Sequence, residues 1–382
     1  MRSATGIHNL PESEHAETAP PASIGDTARS PLWRALLLTT FFGIALVTGL
    51  ALIGDARELG HAFRHFNWWL IIPILVLTVW NYGGRFVKWQ MYLRALGIEL
   101  PAGLSARIFL GGFAMSLTPG KVGELVKAIY VRRATGAPVN RTSAVVAAER
   151  ITDALAMLIL AAIGATEYAY GRPLLAVVAG LGVAGILLLQ RPDLLMRQIE
   201  RATDLPLLGR VAAHAQAFVD ASGTLFRPGL LLRAVGLGVI SWAGECVAFF
   251  LVLIGLGVDP SPRLLLIATF ILAVSSLVGG ASMLPGGLGV ADAGIAGLLV
   301  LTLNDEGMSH TTAAAATILI RFATLWFAVI LGALVLANLE RRWLRVEGSD
   351  QPVQSVPQTV VEARGRDDAP AGFEAIGDGG NL

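Results

Sequence analysis

The amino-acid sequence predicts an all-α polytopic membrane protein with an inverted-topology internal repeat. Three observations support this fold class. Hydrophobic residues occupy 54% of the 382 positions and charged residues only 15%, which is too apolar for the surface of a soluble protein of this size. The apolar residues are gathered in runs long enough to cross a bilayer as helices. A short motif around a Pro-Gly pair also occurs twice, with an offset of roughly 160 to 170 residues.

Six apolar runs are long enough to span the hydrocarbon core of a membrane, since about 20 helical residues cover ~30 Å. They fall near residues 35–54, 68–84, 143–166, 173–190, 231–256 and 312–338. We therefore expect six full crossings. The first run is expected to be a retained span, because its sequence has no convincing signal-peptide cleavage site.

Two further apolar segments, 105–133 and 264–303, are each interrupted in the middle by Pro-Gly. Interrupted helices of this kind predict two re-entrant helix pairs that meet inside the protein. A complete crossing by residues 264–284 is an open alternative for the second segment.

The two ends of the sequence differ from its centre. Residues 1–34 and 346–382 are polar and contain few large apolar side chains, so we expect disordered tails. The C-terminal tail is too short to form an enzyme domain. The remaining residues, 35–345, are expected to form one transmembrane domain.

Lys and Arg are unevenly distributed between the two sides of this predicted topology. With six crossings, one side receives 23 Lys and Arg residues and the other receives 4, while Arg150 and Arg321 lie within spans. Positive residues accumulate on the cytoplasmic side of membrane proteins. We therefore expect both termini in the cytoplasm and the protein in the cell (inner) membrane.

The internal repeat is carried by several landmarks in the same order. The motif is SLTPGKVG at 116–123 and SMLPGGLG at 282–289. In both copies an LG-containing turn and a Gly-Gly pair precede the motif. An arginine-led apolar run follows it, RITDALAMLILA from Arg150 and RFATLWFAVILG from Arg321. One match could arise by chance in a Gly- and Leu-rich sequence, but four ordered matches indicate a duplication.

The duplicated units are expected at about 68–166 and 231–338. The connections of the first copy carry nine Lys and Arg residues, whereas those of the second carry only Arg263. This difference predicts that the second copy is inverted in the membrane. By analogy with transporters, inverted repeats place a substrate site between broken helices near the midplane.

The Pro-Gly motifs predict helix breaks at Pro119, Gly120 and Gly123, and again at Pro285, Gly286 and Gly289. Proline lacks an N–H group and glycine lacks a side chain, so each motif can end one helix and expose the first amides of the next. In the first copy Lys121 lies at this helix start, where it could hold a phosphate or carboxylate of a lipid head group. The alternative is that Pro-Gly only kinks a packed helix.

Ionisable side chains near the first motif form the candidate substrate-binding set. They are Lys121, Glu124, Lys127, Glu149, Arg150 and Asp153. A charge inside a membrane costs ~2.5 to 3.5 kcal/mol on insertion scales, so such a group must be paired or face water. We expect Glu124, Arg150 and Asp153 to converge. The alternative is a structural ion-pair cluster that does not contact substrate.

The second copy carries fewer charges. Arg321 corresponds to Arg150, its expected partner is Asp292, and both also belong to the candidate substrate-binding set. Glu245 is an isolated acid within a predicted span, and it either faces the substrate path or is protonated and joins helices. Arg85 and Lys88 are expected to extend to anionic lipid at the end of their span.

Several classes of function have no support in the sequence. The single cysteine, Cys246, excludes an intramolecular disulfide and a cysteine-based zinc site. The sequence also has no Walker loop and no zinc signature. We expect no cofactor, no metal and no nucleic-acid partner.

The stretches SLTPGKVGELVKAIYVRR, AAERITDALAMLILA and LPGGLGVADAG resemble the transmembrane-region family of lysylphosphatidylglycerol synthases, also described as flippase-like membrane proteins. The resemblance covers roughly residues 65–340. It implies an α-helical fold with re-entrant helices and a role in moving lipids or lipid-linked sugars between leaflets. In the full synthases a soluble aminoacyl-transferase domain follows. Here we expect that domain, and the lysyl-transfer reaction, to be missing.

The leading hypothesis is therefore a flippase-like transporter, not an enzyme, for a lipid or lipid-linked substrate with an anionic head group. Its expected partners are membrane lipids, with a homodimer or a partner transferase as further possibilities. Two alternatives remain open: a membrane subunit of an aminoacyl- or glycosyl-transferase system, and a nonenzymatic membrane scaffold.

Overall fold

A computed structural model describes residues 56–118, 123–167 and 221–349, with a few isolated positions between 168 and 220. The predicted spans 35–54 and 173–190 lie outside the described residues. Both predicted tails also lie outside them, apart from the first residues after 345. Within the described residues every regular element is a helix.

Ten helices are labelled here in chain order. They are α1 (Ala56–His65), α2 (Ile71–Ala95), α3 (Ala102–Gly111), α4 (Val126–Thr135), α5 (Val139–Gly164), α6 (Pro228–Gly255), α7 (Pro262–Ala281), α8 (Val290–Leu303), α9 (His310–Arg321) and α10 (Phe327–Ser349). A 3₁₀ turn, Gly112–Met115, extends α3, and a π-helical turn, Phe322–Trp326, joins α9 to α10. The chain divides into a unit Met1–Leu336 and a second unit that begins at Ala337, within α10.

Five helical segments of the described residues are long and apolar enough to cross a membrane. They are Trp68–Ala95, Pro228–Gly255, Pro262–Ala281, Pro285–Glu306 and His310–Arg341. Two of them contain the predicted spans 68–84 and 312–338, and Pro228–Gly255 covers the predicted span 231–256 except for its last residue. The predicted span 143–166 coincides largely with α5, a 26-residue helix whose first half carries charged side chains. The protein is therefore an all-α polytopic membrane protein, as predicted.

The two copies of the repeat share local structure as well as sequence. The turn after α2 contains Gly97 with a φ of 66°, and the turn after α6 contains Gly257 with a φ of 92°. Glycine adopts this left-handed conformation without steric penalty, which allows it to end a helix. The next amide then donates to the same helix in both copies, Ile98 N to Leu93 O at 2.9 Å and Val258 N to Leu253 O at 3.1 Å.

Equivalent helices of the two copies run antiparallel where they pack together. The start of α2 meets the end of α6, where the Asn67 amide donates to the Gly255 carbonyl at 3.0 Å. Further along α2, the Trp80 indole donates to the Ile240 carbonyl at 3.3 Å. Antiparallel packing of α2 and α6 is what an inverted repeat requires, because a repeat about the membrane normal would make them parallel.

The helix that follows the break in each copy also contacts the helix that precedes the break in the other copy. Gly164 at the end of α5 lies against α7, since a Cβ there would be 2.6 Å from Phe270 N. Gly332 on α10 lies against the end of α3, since a Cβ there would be 2.4 Å from Ala114 N. The arginine-led helix of each copy therefore packs against the pre-break helix of the other.

The two helix breaks touch each other inside the protein. The first lies between Met115 and Val126, and the second between Ala281 and Val290. A Cβ at Gly286 would lie 2.6 Å from Leu117 Cδ2, so the two interrupted regions are in direct contact. Leu117 joins a small buried apolar cluster with Leu288, Trp326 and Val329.

One detail differs from the sequence-based expectation, and two expectations stay untested. Residues 119–122 lie outside the described residues, so the positions of Pro119, Gly120 and Lys121 stay predictions. The helix expected from residue 121 has its first α-helical residue at Val126. In the second copy, Pro262–Ala281 and Pro285–Glu306 are each long enough for a full crossing, so the re-entrant description of that pair also stays a prediction.

Candidate functional site

Seven ionisable side chains from three helices meet inside the bundle, and we call them the ion cluster. They are Arg85 and Lys88 from α2, Glu124 and Lys127 from α4 and the turn before it, and Glu149, Arg150 and Asp153 from α5. The side chains come together because α5 packs against both α2 and α4. Six of these side chains are at most 8% exposed, and the seventh, Arg150, is 25% exposed.

Glu149 is the centre of the ion cluster, and its side chain is completely buried. Its Oε1 accepts hydrogen bonds from Arg85 Nη2 at 2.8 Å and from Arg150 Nη2 at 3.0 Å. Its Oε2 accepts a hydrogen bond from Lys127 Nζ at 2.8 Å. One carboxylate therefore ties together α2, α4 and α5.

Asp153 lies one helical turn after Glu149 and pairs mainly with α2. It accepts a hydrogen bond from Lys88 Nζ, and its Oδ2 lies 3.4 Å from Arg85 Nε. Since Lys88 is fully buried, this ion pair is shielded from solvent and its charges interact more strongly than a surface pair would.

Glu124 connects the region after the first helix break to α5. Its Oε2 lies 3.0 Å from Arg150 Nη2 and 3.5 Å from Lys127 Nζ. Its Oε1 accepts a hydrogen bond from Ser116 Oγ at 3.2 Å. Ser116 precedes the Pro-Gly pair of the first break and Lys127 follows it, so Glu124 contacts residues on both sides of that pair.

Aromatic rings cover two of the cations. The Arg85 guanidinium carbon lies 5.3 Å from the centre of the Phe113 ring and 5.7 Å from that of Trp242. Lys127 Nζ lies 5.1 Å from the centre of the Trp89 ring and 5.4 Å from that of Phe109. These cation–π contacts replace part of the hydration that burial removes.

The charges of the ion cluster do not cancel. Within the described residues it contains four cations and three carboxylates, which leaves one excess positive charge. Uncompensated charge is costly in a buried site. Arg150 is the most exposed member of the cluster.

Several expected contacts are present. Glu124, Arg150 and Asp153 converge, although Arg150 Nη2 is closer to Glu124, at 3.0 Å, than to Asp153, at 4.0 Å. Lys127 pairs with Glu124 as its three-residue spacing indicates. Gly123 lies beside the break, where its amide donates to Thr118 Oγ1 at 2.7 Å.

The expectation that Arg85 and Lys88 extend to lipid was wrong, because both are buried in the ion cluster. A signal in the sequence could have revealed them. Thr78, Asn81, Arg85, Lys88 and Tyr92 recur at steps of three or four residues, which places them on one helical face. A polar face that continues through an apolar span points into the bundle and not only toward the membrane surface.

The second copy contains a simpler ion pair. Arg321 Nε donates to Asp292 Oδ1, the expected pairing, and Arg321 Nη2 also donates to the Gly286 carbonyl at 3.2 Å. The other oxygen of Asp292 accepts from the amide of Gly289 at 2.8 Å. The pair therefore fixes α8 and the second break against the end of α9.

Two further questions concern the role of Glu245 and the presence of metal ligands. Glu245 is buried on α6, and its assignment to the substrate path or to helix packing stays a prediction. No three side chains of the His, Cys, Asp and Glu types converge as metal ligands within the part of the chain that the structure describes.

Two curated proteins are similar in sequence to the chain. One is named glycosyltransferase AglD, from Haloferax volcanii; it is 27% identical over 298 residues, which cover 66% of the chain and 46% of that protein. The other is named UPF0104 membrane protein, from Methanothermobacter thermautotrophicus; it is 24% identical over 320 residues, which cover 76% of the chain and 91% of that protein. The chain thus matches less than half of the named glycosyltransferase.

The family comparison agrees with the fold and with the resemblance seen in the motifs. Residues 40–332 match the family described as the lysylphosphatidylglycerol synthase TM region. The matched range includes the ion cluster, both helix breaks and the Arg321–Asp292 pair. The chain belongs to the lysylphosphatidylglycerol synthase transmembrane-region family.

Proposed function

We propose that the protein moves a lipid or lipid-linked substrate with an anionic head group between the leaflets of the membrane. The observation that carries this proposal is the ion cluster, in which four cations face three carboxylates inside the bundle. An anionic head group would neutralise the excess charge. Membrane proteins keep buried ionisable groups mainly where substrates or ions pass.

The geometry of Arg150 supports a role in first contact with the head group. The Arg150 side chain is 25% exposed, and its Nη2 contacts both Glu124 and Glu149. The Glu149 side chain is fully buried. A phosphate can accept two hydrogen bonds from one guanidinium. The phosphate would then compete with Glu124 for Arg150, which couples binding to the segment that follows the first helix break.

The contact between the two breaks supports a path between the copies. Leu117 of the first break lies against Gly286 of the second, and α2 and α6 pack antiparallel beside them. Transporters built from inverted repeats change access by moving one repeat against the other. We propose the same for this chain, with re-entrant helices at both breaks, both termini in the cytoplasm of the cell (inner) membrane, and residues 35–345 as the transmembrane domain.

Lipid movement in proteoliposomes tests this proposal. The full chain would be reconstituted with acyl-labelled fluorescent phosphatidylglycerol, and with labelled phosphatidylcholine as a zwitterionic comparison. A membrane-impermeant quencher reports how much label reaches the outer leaflet. We expect faster movement of phosphatidylglycerol than in protein-free vesicles and a smaller effect on phosphatidylcholine. Equal rates with and without the protein, for both lipids, would contradict the proposal and favour a membrane scaffold.

A second candidate function is a membrane component of a glycosyl-transferase system. It is favoured by the similarity to the protein named glycosyltransferase AglD, of which the matched region covers 46%. In that case the chain would act with a partner transferase. Co-purification of the chain with a transferase from native membranes, together with sugar transfer only when both proteins are present, would favour this function over lipid movement alone.

A further inference from the structure

Asn81 is a buried polar side chain of α2 that is not a member of the ion cluster. It is fully buried. Within the described residues neither its Oδ1 nor its Nδ2 has a hydrogen-bond partner. Leaving such a group unsatisfied is costly, and buried amides in native proteins nearly always have partners. The side chain is therefore positioned for a group that is not part of the described chain.

Trp242 of α6 provides a second polar atom in the same situation. Its indole Nε1 is buried and has no hydrogen-bond partner within the part of the chain that the structure describes. Its ring covers the guanidinium of Arg85, with the guanidinium carbon 5.7 Å from the ring centre. Because Arg85 follows Asn81 by four residues, both lie on the same face of α2.

The packing of α2 and α6 places Asn81 and Trp242 at the same level of the bundle. A Cβ at Gly244 would lie 3.3 Å from the Leu77 carbonyl, and a Cβ at Gly84 would meet the side chain of Ser241. Asn81 lies between Leu77 and Gly84 on α2, and Trp242 lies between Ser241 and Gly244 on α6. The two unpartnered groups therefore flank the same short stretch of the interface, about one helical turn, ~5.4 Å, from Arg85.

The chemistry of these atoms defines the group that would fit. Asn81 supplies one acceptor and one amide donor group, and Trp242 supplies one donor. A carboxylate or phosphate would use only donors, and an ammonium would use only acceptors. A hydroxyl group both donates and accepts, so it can satisfy the Asn81 oxygen together with either the Asn81 or the Trp242 N–H group.

We propose that Asn81 and Trp242 form a subsite for an uncharged, hydroxyl-bearing part of the head group, adjacent to the cations that hold its phosphate. This subsite rests on the proposed lipid movement and specifies its substrate class. The preferred substrate is a phosphodiester that carries hydroxyl groups beyond the phosphate. The glycerol of a phospholipid and the sugar of a lipid-linked saccharide both have this chemistry.

The experiment compares matched lipid pairs in proteoliposomes of the full chain. The first pair is labelled phosphatidylglycerol and phosphatidylmethanol, which have the same charge but differ in hydroxyl groups. The second pair is a labelled glycosyl-phospho-isoprenoid and a methyl-phospho-isoprenoid. In one of the two pairs, we expect the hydroxyl-bearing lipid to move at least fivefold faster than its hydroxyl-free partner. The pair that shows this difference identifies glycerol or sugar as the source of the hydroxyl groups.

Two variants connect this preference to the subsite. Asn81→Leu removes the unpartnered amide atoms and keeps a similar volume, and Trp242→Phe removes the indole N–H group and keeps an aromatic ring. Each should lower the preference roughly fivefold to tenfold, the value of about one hydrogen bond, because the rate of the hydroxyl-bearing lipid falls more than that of the hydroxyl-free lipid. Trp80→Phe is the matched indole control, because the Trp80 indole already donates to Ile240 O. Thr78→Val is the polar control on α2, because Thr78 donates to Ile74 O within its own helix.

The outcomes separate the subsite from the proposed function. If the wild-type protein moves both members of each pair equally, lipid movement stands and the subsite is refuted. The subsite is also refuted if the preference survives in both variants, since the atoms then bind only water. It is refuted as well if both variants move the hydroxyl-bearing and the hydroxyl-free lipid more slowly by the same factor. If the wild-type protein moves none of the four lipids, the proposed function fails and the subsite fails with it.

Discussion

Arg150 and Arg321 occupy equivalent positions in the two copies, and each pairs with the first carboxylate that follows the helix break of its own copy. Arg150 Nη2 lies 3.0 Å from Glu124, and Arg321 Nε contacts Asp292. The arginine-led helix is thereby joined to the break in both copies. The surroundings differ, because Arg150 belongs to a seven-residue cluster whereas Arg321 binds one carboxylate and one backbone carbonyl.

Replacing Arg321 with Lys should destabilise the protein. The guanidinium donates to Asp292 and to Gly286 O at the same time, and a lysine ammonium lacks the planar fork that reaches both. Breaking a buried ion pair costs ~3 to 5 kcal/mol. We expect a lower apparent melting temperature in detergent for Arg321→Lys and a larger decrease for Arg321→Ala.

Arg94→Lys is the control for this measurement, because Arg94 is exposed in the last turn of α2. It should leave the melting temperature nearly unchanged. Equal melting temperatures for wild-type protein and Arg321→Lys would show that the second break does not depend on the guanidinium.

Replacing Glu149 with Gln should be the most destabilising neutral substitution in the ion cluster. Glu149 is fully buried and binds Arg85, Lys127 and Arg150. Without its charge, three cations remain close together in an environment that screens them weakly. We expect a strong decrease in the yield of monodisperse protein, measured by size-exclusion chromatography.

A double variant shows whether this loss is electrostatic. Glu149→Gln with Lys127→Met removes one cation together with the carboxylate, so it should recover part of the yield. If the double variant is no better than Glu149→Gln alone, repulsion among the cations is not the cause.

Gly112→Ala should disturb the ion cluster through Lys127. A Cβ at Gly112 would lie 2.6 Å from Lys127 Cγ and 2.7 Å from Cδ, which is closer than atoms can pack. The lysine stem must then move, although its Nζ is held by Glu149 at 2.8 Å. We expect a lower melting temperature and slower lipid movement.

Gly103→Ala is the matched control in α3, the helix that the 3₁₀ turn with Gly112 extends. No atom lies within 4 Å of a Cβ placed at Gly103, and alanine favours a helix over glycine by ~1 kcal/mol. Gly103→Ala should therefore be neutral or slightly stabilising. A similar decrease in both variants would mean that the contact with Lys127 is not responsible.

The arginine pairings could be predicted from the sequence because the repeat marks Arg150 and Arg321 as equivalent. A buried arginine that cannot lose its proton also needs an acceptor nearby. The contribution of Arg85 could not be derived in the same way. Arg85 and Glu149 are separated by 64 residues, and they meet only because α2 and α5 pack with particular faces together. Helical periodicity shows which residues share a face but not which helix that face contacts.

The helices, like the ion cluster, could be predicted only in part from the sequence. Long apolar runs located α6 and the first part of α2, since length and apolar composition are local properties, but α2 continues to Ala95, beyond the predicted span 68–84. The start of α4 at Val126 is less local. Glu124, just before α4, contacts Ser116 and Arg150, and the contact with Arg150 depends on the tertiary packing of α5.

The orientation of the protein can be measured with single cysteines. We expect the end of α2 to face the cytoplasm and the end of α8 to face the other side, because positive residues accumulate on the α2 side. In a Cys246→Ala background, Arg94→Cys should react with an impermeant maleimide only from the cytoplasm. Asp305→Cys, which is exposed in the 3₁₀ turn Asn304–Glu306 after α8, should react only from outside. Reaction of both cysteines from the same side would contradict the predicted topology.

Arg150 provides the sharpest test of whether the ion cluster serves transport or only stability. Arg150→Ala removes the most exposed cation and leaves Glu124 with the buried Lys127 as its closest described cation, at 3.5 Å. If Arg150 receives the head group, the variant should lose at least tenfold in the rate of phosphatidylglycerol movement per reconstituted molecule. Arg150→Lys should recover only part of this rate, because an ammonium cannot bind phosphate and carboxylate in the bidentate geometry of a guanidinium.

Protein yield and lipid movement must be measured separately, with Arg263→Ala as a control, since Arg263 forms exposed ion pairs with Glu167 and Glu306. If Arg150→Ala lowers the yield but the remaining protein moves lipid at the wild-type rate, Arg150 is structural and does not bind the substrate.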